Sequence, residues 1–467
     1  MERGGVALDP VRAAAALGEY VAAGFNAFDM ADHYGSAELI TGEALAQGHH
    51  LRAFTKWCPE PGPMTPDVVR QAVQRARERM RTGTIDLLQL HWWHFDHPQY
   101  IDAVHELHAL QQEGWIRHIG LTNFDTAHVR VLLAEGLPVV SNQVCCSLLD
   151  RRALGEMSSL CQSHGVRLLA YGTLGGGFLS ERWLDASQPD TVRDWSKMKY
   201  RRFIDAVGGW AALQGVLHAA HQIARRHGVS IANVATRWVL DQPATAAVIV
   251  GARLGESQHR ADNARVFSFA LDDEDRALLQ HAFAATRSIA GDCGDEYRRP
   301  PFLTASGDLS HHLASLPQVW RARAVPGRAD RWLLDSGSVW EPLAGYARAV
   351  RDGREIRVSG TTATHGSDRV IAPNDAGAQA TYVLDKISAS LRALGATLDD
   401  VVRTRVYLAD VNNWESVSRA HGRFFGTVRP ANTLLQVGAL VGSGYLVEIE
   451  ADALLPERAP PPPNATP

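Results

Sequence analysis

Cysteine is scarce in this chain of 467 residues: there are five, an odd number with no framework spacing. This usage argues against a disulfide-stapled secreted protein and indicates a reducing compartment, so we expect a cytoplasmic protein. No run approaches the roughly 18 apolar residues that span a membrane. Residues 1–20 lack a basic segment followed by an apolar one, so we expect neither a secretion signal nor a membrane partner.

Neither sign of charge is in large excess. The chain has 47 Lys and Arg against 51 Asp and Glu, a formal charge of −4 and a pI near 6.6. Without a basic stripe, we expect no nucleic-acid partner. Cys145 and Cys146 are adjacent, but nothing near them completes a ligand set, so we expect core residues and no metal. The length and the 45% hydrophobic content instead indicate two or three globular domains.

From residue 10 to about 285 the sequence alternates between helical and strand-like segments. Short apolar runs such as Phe25–Phe28, Leu51–Thr55 and Ile85–Leu90 are typical of buried strands. Repeated βα units of this kind predict a parallel sheet covered by helices. The strands are close in number to those of an α/β (β/α)₈ TIM-type barrel, which needs roughly 250 residues. The alternation also permits a doubly wound sheet, but no Gly-x-Gly-x-x-Gly follows an early strand.

The remainder of the chain has a different organisation. We assign the first domain to residues 1–314 and an aperiodic linker to residues 315–339. Residues 340–457 alternate long helices and strands in an order typical of a separate α+β domain. Residues 458–467, RAPPPPNATP, are predicted to be a Pro-rich disordered tail.

Four polar residues fall at or just after predicted strand ends: Asp29, Tyr34, Lys56 and His91. A phenol titrates near pH ~10, so it donates a proton at neutral pH only with help from its neighbours. An amine and an imidazole can give that help, and a carboxylate can hold the amine charged. Taken singly, these residues also fit a helix-capping loop, a solvated lysine and a core histidine. Taken together, they predict an acid–base site at the carboxyl ends of the strands.

The motifs around these residues resemble those of the aldo-keto reductase family. FDMADHYG, FTKW and LLQLHWW are followed, in the family's order, by GWIRHIGLTNF, SNQV, AYGTLGGGFL and IVGARLGESQHRADN. The resemblance implies a reductase of aldehydes or ketones in which Tyr34 is the general acid and Asp29, Lys56 and His91 assist it. In the family a first strand precedes the first helix, whereas here the helix comes almost at once. The resemblance therefore implies a barrel that lacks its first strand in this sequence: either the strand is supplied from elsewhere, or the barrel is incomplete with two unpaired edges, or the true start lies upstream.

The same resemblance implies a nicotinamide cofactor, NADPH rather than NADH. The implied contacts are Ser141, Asn142 and Gln143 for the amide, Tyr171 for the ring, Gly172, Leu174 and Gly176 for the pyrophosphate, and Arg253 and Asn263 for the 2′-phosphate and adenine. Trp57 and Trp92 flank the catalytic residues and are expected to line an aromatic substrate pocket for a small carbonyl compound.

The second domain is similar to the Rid (YjgF-type) family, whose members clear reactive enamines and imines. GYARAV, RVSGTTA, LGATLDDVVRTRVYLAD and FFGTVRPANT carry the resemblance. It implies a chorismate-mutase-like fold and a homotrimer with clefts between subunits, lined here by Tyr346 and Glu448. Where deaminating members carry an arginine for the substrate carboxylate, this chain has Asn432, which lacks the guanidinium charge and fork. Trimerisation, an altered binding or hydrolytic site, and the standard deaminase all stay open.

Three functions are compatible with the sequence. The first, which we favour, is an NADPH-dependent carbonyl reductase with a trimerising second domain. The second is a ligand-binding or assembly protein with an inactive barrel. The third couples the domains, so that one handles a reactive carbonyl or imine that the other makes, provided that the two sites can face each other.

Overall fold

The computed structural model describes residues 8–60, 62–252, 254, 259–304, 317–457 and 462–463. Within these ranges most strands belong to two seven-stranded sheets. All five cysteines are free thiols. No helix in the same ranges is both long enough and apolar enough to cross a membrane.

The first sheet is parallel, and its strands alternate with helices along the chain. The strands are β1 (Ala27–Asp29), β2 (Arg52–Trp57), β3 (Ile85–His91), β4 (Ile116–Thr122), β5 (Val139–Cys145), β6 (Arg167–Tyr171) and β7 (Thr245–Val248). The helices are α1 (Pro10–Ala22), α2 (Ala37–Ala46), α3 (Pro66–Arg79), α4 (Tyr100–Gln112), α5 (Thr126–Ala134), α6 (Glu156–Ser163), α7 (Trp195–Val207), α8 (Trp210–His227), α9 (Ile231–Leu240), α10 (Arg260–Ala264), α11 (Asp273–Ala284) and α12 (Asp295–Arg298). Strands follow one another in chain order across the sheet, which confirms the predicted TIM-type architecture.

Local sequence signals set where several of these helices start. Asp9, Thr65 and Ser230 each accept a hydrogen bond from a backbone N–H of the first turn, and Pro10 and Pro66 occupy early helical positions. A side-chain cap of this kind contributes about 1 kcal/mol to stability. Short connections from strand to capped helix leave the strand ends facing one edge of the sheet.

The first sheet does not close among the residues that the structure describes. There, β1 pairs only with β2, and β7 pairs only with β6. Among those residues, the first sheet is therefore open between β1 and β7. Helices span the opening: Arg260 Nη1 of α10 forms an ion pair with Glu19 Oε2 of α1 at 2.6 Å, and its guanidinium lies 5.2 Å from the Tyr20 ring centroid.

The second sheet is mixed and has helices on one face. Its strands run in the order β15 (Ala431–Gln436), β14 (Val401–Leu408), β16 (Val447–Leu454), β11 (Glu355–Thr361), β10 (Ala349–Asp352), β9 (Arg328–Leu334) and β8 (Ala322–Val325), with a separate ribbon of β12 (Thr364–His365) and β13 (Arg369–Val370). The helices are α13 (Trp340–Ala344), α14 (Ala376–Ala393) and α15 (Trp414–Phe425). Among the described strands of this second sheet, only β14 and β15 pair in parallel. This α+β arrangement is the fold predicted for the second domain.

The predicted linker over residues 315–339 is wrong in its central part. Ala322–Val325 and Arg328–Leu334 form an antiparallel hairpin that adds two strands to the second sheet beside β10. The sequence hides this hairpin because much of β9 is exposed and basic, so the apolar alternation of a half-buried strand is weak. Of the predicted tail, only residues 462–463 belong to the described part of the chain.

The two sheets share one continuous hydrophobic core. Helix α14 lies between the second sheet and α5 of the barrel, and every residue in it except Arg392 is buried. Polar contacts cross this junction: Arg130 Nε to Asp375 Oδ2 at 2.7 Å, and His128 Nε2 to Asp385 Oδ2 at 2.9 Å. A helix that is buried all round needs cover on both sides, and here a sheet and a barrel helix supply it.

Candidate active site

The four predicted catalytic residues lie at one end of the first sheet. Asp29 ends β1, Lys56 is the penultimate residue of β2, His91 ends β3, and Tyr34 lies in the turn after β1. That turn runs alongside β2, because Asp32 N donates a hydrogen bond to Lys56 O at 3.0 Å. Since β1 to β3 are parallel, all four side chains come to the same edge.

Asp29 is the centre of a buried hydrogen-bond network. Its Oδ2 accepts a short ion-pair hydrogen bond from Lys56 Nζ, and its Oδ1 accepts from Gln89 Nε2 at 2.9 Å and Gln143 Nε2 at 2.8 Å. Gln143 Nε2 also donates to Gln89 Oε1 at 2.8 Å. Because Gln143 lies on β5, the network crosses the interior of the open barrel. Gln89 was not predicted, although a glutamine inside the apolar run DLLQLH is a signal for a buried polar partner.

Lys56 couples this carboxylate to the phenol. Its Nζ lies 5.0 Å from the Tyr34 ring centroid. Burial by itself lowers the pKa of Lys56. Asp29 and Tyr34 together raise it by more than burial lowers it, so the net shift is upward and the amine is charged. Lys56 is also the largest influence on Tyr34 and lowers the phenol's pKa, whereas burial and Asp29 raise it and together prevail. Tyr34 is therefore protonated, which is the form that a general acid needs.

His91 is a neutral imidazole. Burial, followed by the charge of Arg298, lowers its pKa well below the ordinary range. Its Nδ1 lies 3.5 Å from Cys58 Sγ, and its ring centroid is 4.2 Å from that of Trp93. Its Nε2 is buried and has no hydrogen-bond partner within the described ranges. That nitrogen can therefore take a hydrogen bond with a substrate oxygen.

Two residues from distant segments complete this end of the barrel. Lys199 of α7 donates from Nζ to the Tyr297 hydroxyl of α12 at 2.5 Å, and it lies 5.1 Å from the Tyr171 ring centroid. The Tyr297 ring packs edge-on against His91 at 5.5 Å between centroids. The sequence does not single out either residue, because both lie in irregular stretches where only specificity loops are expected.

The three predicted amide-binding residues of β5 do not share one face. Gln143 and Ser141 face the interior of the barrel. Ser141 lies roughly 7 Å further from the carboxyl end of β5 than Gln143, because the two are separated by two strand residues. Asn142 faces the helices: its Nδ2 donates to Phe124 O at 2.8 Å and lies 3.7 Å from Met157 Sδ. The structure therefore removes Asn142 from the predicted set, because strand pleating turns it away from its two neighbours.

Asn123, directly after β4, lies at the position that Asn142 was expected to fill. Its Oδ1 accepts from the Tyr171 hydroxyl at 2.8 Å, and the same hydroxyl is 3.1 Å from Glu296 Oε1. Burial raises the pKa of that hydroxyl well above its ordinary value. The neighbouring Thr122 has a buried hydroxyl with no partner among the residues described. The Asn123 amide and the Thr122 hydroxyl can hydrogen-bond a carboxamide, and the half-buried Tyr171 ring offers an aromatic surface. Together these groups fit a nicotinamide.

The glycine-rich loop after β6 fits a phosphate group in part. Gly175, Gly176 and Gly177 have φ of 55°, 65° and 92°, and Gly177 faces open space. Gly175 N and Gly177 N donate within the turn, to Gly172 O at 2.8 Å and Leu174 O at 2.9 Å, so these two N–H groups are not available to a phosphate. A Cβ on Gly172 would come within 2.4 Å of the Tyr200 hydroxyl, so α7 forms the wall of this loop. Leu174 is partly buried and packs against the core.

The predicted adenine end is only partly described. Asn263 lies in α10. The neighbouring Asp262 anchors this helix: Asp262 Oδ2 accepts from Ser230 Oγ at 2.9 Å, and Asp262 Oδ1 accepts from Asn233 Nδ2 at 3.1 Å. Arg253, the predicted 2′-phosphate ligand, lies outside the described residues. The preference for NADPH over NADH stays a prediction.

Neither tryptophan predicted for the substrate pocket lines it. Trp57 alternates with Lys56 on β2 and packs in the core on the helix side of the sheet. Trp92 is completely buried, and its indole N–H donates to His94 O at 2.8 Å. Buried indole N–H groups usually find such an acceptor. The aromatic surface beside His91 comes instead from Trp93.

The predicted cleft of the second domain is only half assembled within one chain. Tyr346 and Glu448 are neighbours: burial raises the pKa of Tyr346, Arg348 lowers it, and Glu448 contributes to the net rise. Asn432 lies apart from them on the edge strand β15, where its Nδ2 donates to Thr404 Oγ1 at 2.9 Å. One copy of the chain thus brings together two of the three predicted cleft residues.

Two protein-family models match the chain. Residues 1–283 match the model described as Aldo/keto reductase family, and residues 338–455 match the one described as Endoribonuclease L-PSP. The solved structure of a glycerol dehydrogenase from Gluconobacter oxydans has the same barrel fold. It is 24% identical, covers 60% of this chain and 87% of its own, and has a TM-score of 0.50.

Curated relatives match the two parts separately. Flagellar radial spoke protein 5 of Chlamydomonas reinhardtii is 35% identical over 180 residues, which are 34% of this chain and 33% of that protein. A RutC family protein of Pyrococcus horikoshii is 31% identical over 113 residues, which are 24% of this chain and 89% of that protein. The chain thus spans a third of the first relative and most of the second, which confirms a Rid-type domain after the barrel.

Proposed function

The chain belongs to the aldo/keto reductase family, and on that premise we propose that it is a nicotinamide-dependent reductase of aldehydes or ketones. One observation carries the proposal: the buried network in which Asp29 holds a charged Lys56 beside a protonated Tyr34. This network is assembled although β1 has a single strand partner among the described residues. The open side of the barrel therefore does not dismantle the acid–base group.

Each member of the group has a distinct part in the reaction. A bound nicotinamide supplies the hydride. As negative charge develops on the substrate oxygen, Tyr34 donates its phenolic proton to that oxygen. Lys56 eases the transfer because its charge, held by Asp29, stabilises the phenolate that remains. His91 orients the same oxygen through Nε2.

We propose that Gln143, Asn123 and Thr122 hold the amide of the nicotinamide and that Tyr171 packs against its ring. The pyrophosphate would lie along the loop that holds Gly172, Leu174 and Gly176, as the family resemblance implies. Asn263 and Arg253 would address the adenine and the 2′-phosphate, which makes NADPH the expected cofactor. The support for this last point is the family resemblance.

The test of the reductase proposal is Tyr34→Phe, which removes one oxygen atom. We expect kcat/KM for an aldehyde such as 4-nitrobenzaldehyde to fall by about 10²- to 10⁴-fold, the usual contribution of a general acid. NADPH binding, measured by quenching of tryptophan fluorescence and compared with NADH, should be retained. Tyr407→Phe is the matched control, because that hydroxyl bonds Glu450 on the far face of the second sheet. A fully active Tyr34→Phe variant would refute the role of Tyr34, and a wild type that binds neither nucleotide would favour the inactive-barrel alternative.

For the second domain we propose assembly rather than deamination. The amide of Asn432 cannot pair with a carboxylate as a guanidinium does, so an amino-acid-derived imine is a poor fit. In a trimer, Asn432 of one copy would complete a cleft with Tyr346 and Glu448 of the next. The single chain supports this idea because it separates Asn432 from the other two residues.

A further inference from the structure

We propose that the second domain contributes a positioning residue to the reductase site: Arg423 of α15 holds in place the segment that covers the end of the barrel. This segment, residues 291–299, is called the mouth segment below. It contains α12 and carries Tyr297, which packs against His91. The inference rests on the proposed reductase function and assigns Arg423 as a positioning residue for it.

The mouth segment is fastened to the strand ends of the barrel. Arg298 donates from Nη1 to Asn123 O and from Nη2 to Trp92 O, both at 2.6 Å. Gly294 approaches the same backbone closely: it has φ of 80°, and a Cβ there would come within 2.0 Å of Asn123 O. The segment thus lies directly on the residues that follow β3 and β4.

A buried arginine of the barrel holds the segment from a second side. Arg152 Nη2 forms an ion pair with Glu296 Oε2 at 2.9 Å, and its Nη1 donates to Asp292 O at 2.8 Å. Glu296 in turn accepts from the Tyr171 hydroxyl at 3.1 Å. The position of the mouth segment is therefore linked to the aromatic ring that is proposed to contact the nicotinamide.

Arg423 supplies the third attachment, and it comes from the second domain. Its Nη1 forms an ion pair with Asp292 Oδ2 at 2.8 Å, and its Nη2 forms one with Asp125 Oδ2 at 3.2 Å. Its backbone oxygen accepts from Arg299 Nη1 at 3.3 Å. Burial by itself lowers the pKa of Arg423, but Asp125 and Asp292 raise it above its ordinary value, so the guanidinium is charged.

The planar fork of Arg423 bridges two loops, which Thr126 N also joins by donating to Asp292 Oδ2 at 2.9 Å. Asp125 caps α5 two residues after Asn123, whereas Asp292 is near the start of the mouth segment. A guanidinium can hold both carboxylates in fixed directions, which an ammonium cannot do. Loosening this clamp would let Tyr297 shift relative to His91. A misplacement of about 1 Å in an active site can cost about 10²-fold in rate.

The experiment uses the full chain and four variants: Arg423→Met, Arg423→Lys, Asp292→Asn and the double variant Arg423→Met with Asp292→Asn. Asp292→Asn is included because it leaves Arg423 paired with the buried Asp125, whereas Arg423→Met removes the cation beside Asp125 Oδ2, although Asp125 Oδ1 keeps its contact with His128. Arg419→Met is the matched control: Arg419 lies on the same helix, is exposed, and pairs with Glu415 at 2.7 Å. Steady-state kinetics with NADPH and 4-nitrobenzaldehyde give kcat and KM separately.

We expect Arg423→Met and Asp292→Asn each to lower kcat/KM by about 10- to 100-fold, with NADPH binding retained. Arg423→Lys should recover part of the loss, and the double variant should lose less than the two single variants combined, since part of each effect runs through the contact that the two residues share. Hydrogen–deuterium exchange should be faster in residues 291–299 of Asp292→Asn and unchanged in α8.

Two results would overturn the inference: kinetics of Arg423→Met equal to those of Arg419→Met, or unchanged exchange in the mouth segment of Asp292→Asn. The exchange measurement needs no turnover. If the wild type reduced no aldehyde, the proposed function would fail on the kinetics, while the exchange data would still decide whether Arg423 holds the mouth segment.

Discussion

Asp29 receives hydrogen-bond donors from three different strands: Lys56 of β2, Gln89 of β3 and Gln143 of β5. A carboxylate is suited to this position because it accepts on both oxygens and donates on neither. Each donor is fixed by its own strand. The positions of Asp29 and its three donors are therefore set by the sheet, whereas Tyr34 is carried by the turn after β1.

At this scale the informative variant is Asp29→Asn, which keeps the shape of the side chain but turns an N–H₂ donor toward Lys56 or the two glutamines. Asp29 is the strongest influence that raises the pKa of Lys56, so that pKa should fall. We expect kcat/KM to drop by at least about 10²-fold. The limb of the pH–rate profile that requires a charged Lys56 should move to lower pH.

The measurement is kcat/KM between pH 6 and pH 10 for the wild type and the variant. Asp67→Asn is the control, since Asp67 is an exposed residue in the first turn of α3. An unchanged limb in Asp29→Asn would mean that Asp29 does not set the charge of Lys56.

Among the elements, the junction of α5 and α14 decides how the two sheets are joined. His128 of α5 lies between Asp125 Oδ1 at 2.7 Å and Asp385 Oδ2 at 2.9 Å, and its ring stacks on Phe95 at 3.5 Å. Burial by itself lowers the pKa of His128, but the two carboxylates raise it to about 9. Burial raises the pKa of Asp385 to about 7. A buried, charged histidine thus links a barrel helix to a helix of the second domain.

The stability of the protein should depend on pH through this histidine. Because the folded-state pKa of about 9 lies above the ordinary 6.5, the stabilisation is complete below pH 6.5 and is lost as pH rises through 9. The free energy of unfolding should fall across this range with a slope of at most about 1.4 kcal/mol per pH unit. His128→Gln should be less stable at pH 6.5 and should lose this slope.

Urea unfolding at a series of pH values between 6.5 and 9.5 measures the effect. His218→Gln is the control, since His218 forms a comparable ion pair with Asp185 at 2.9 Å on an exposed surface. A wild-type unfolding free energy that stays constant over this range would contradict a charged His128 at the junction.

For the molecule as a whole, the covered faces determine which surface is free for assembly. Helix α14 and the barrel cover the helical side of the second sheet, so the opposite side faces outward. That side is polar: Arg405 Nη1 of β14 pairs with Glu450 Oε2 at 3.1 Å and Asp452 Oδ2 at 3.3 Å on β16. Assembly through this sheet can use that face or an edge strand, β15 or β8.

Light scattering should therefore give a mass near three times the 51.0 kDa of the chain, as the Rid resemblance implies. Arg405→Glu places like charges opposite Glu450 and Asp452, which is unfavourable within a sheet, and should shift the protein toward monomers. Arg419→Glu, on the exposed side of α15, should leave the mass unchanged. A wild-type monomer at micromolar concentration would contradict the proposed trimer.

The sequence by itself predicted the architecture and the candidate acid–base group. Both sheets follow from the alternation of strands and helices. Asp29, Lys56 and His91 could be placed because strand ends of a parallel sheet meet at one edge, so a position in the chain converts directly into a position in space.

The tertiary structure alone decided which side chains surround that group. Asn142 and Trp57 lie beside predicted site residues that face the interior, yet the pleat turns them to the other face of their strands. Lys199 and Tyr297 reach the site from segments with no periodicity, and Arg423 reaches it from another domain. Such contacts depend on how separate elements pack, and the free energy of packing has no signature in the local pattern of a sequence.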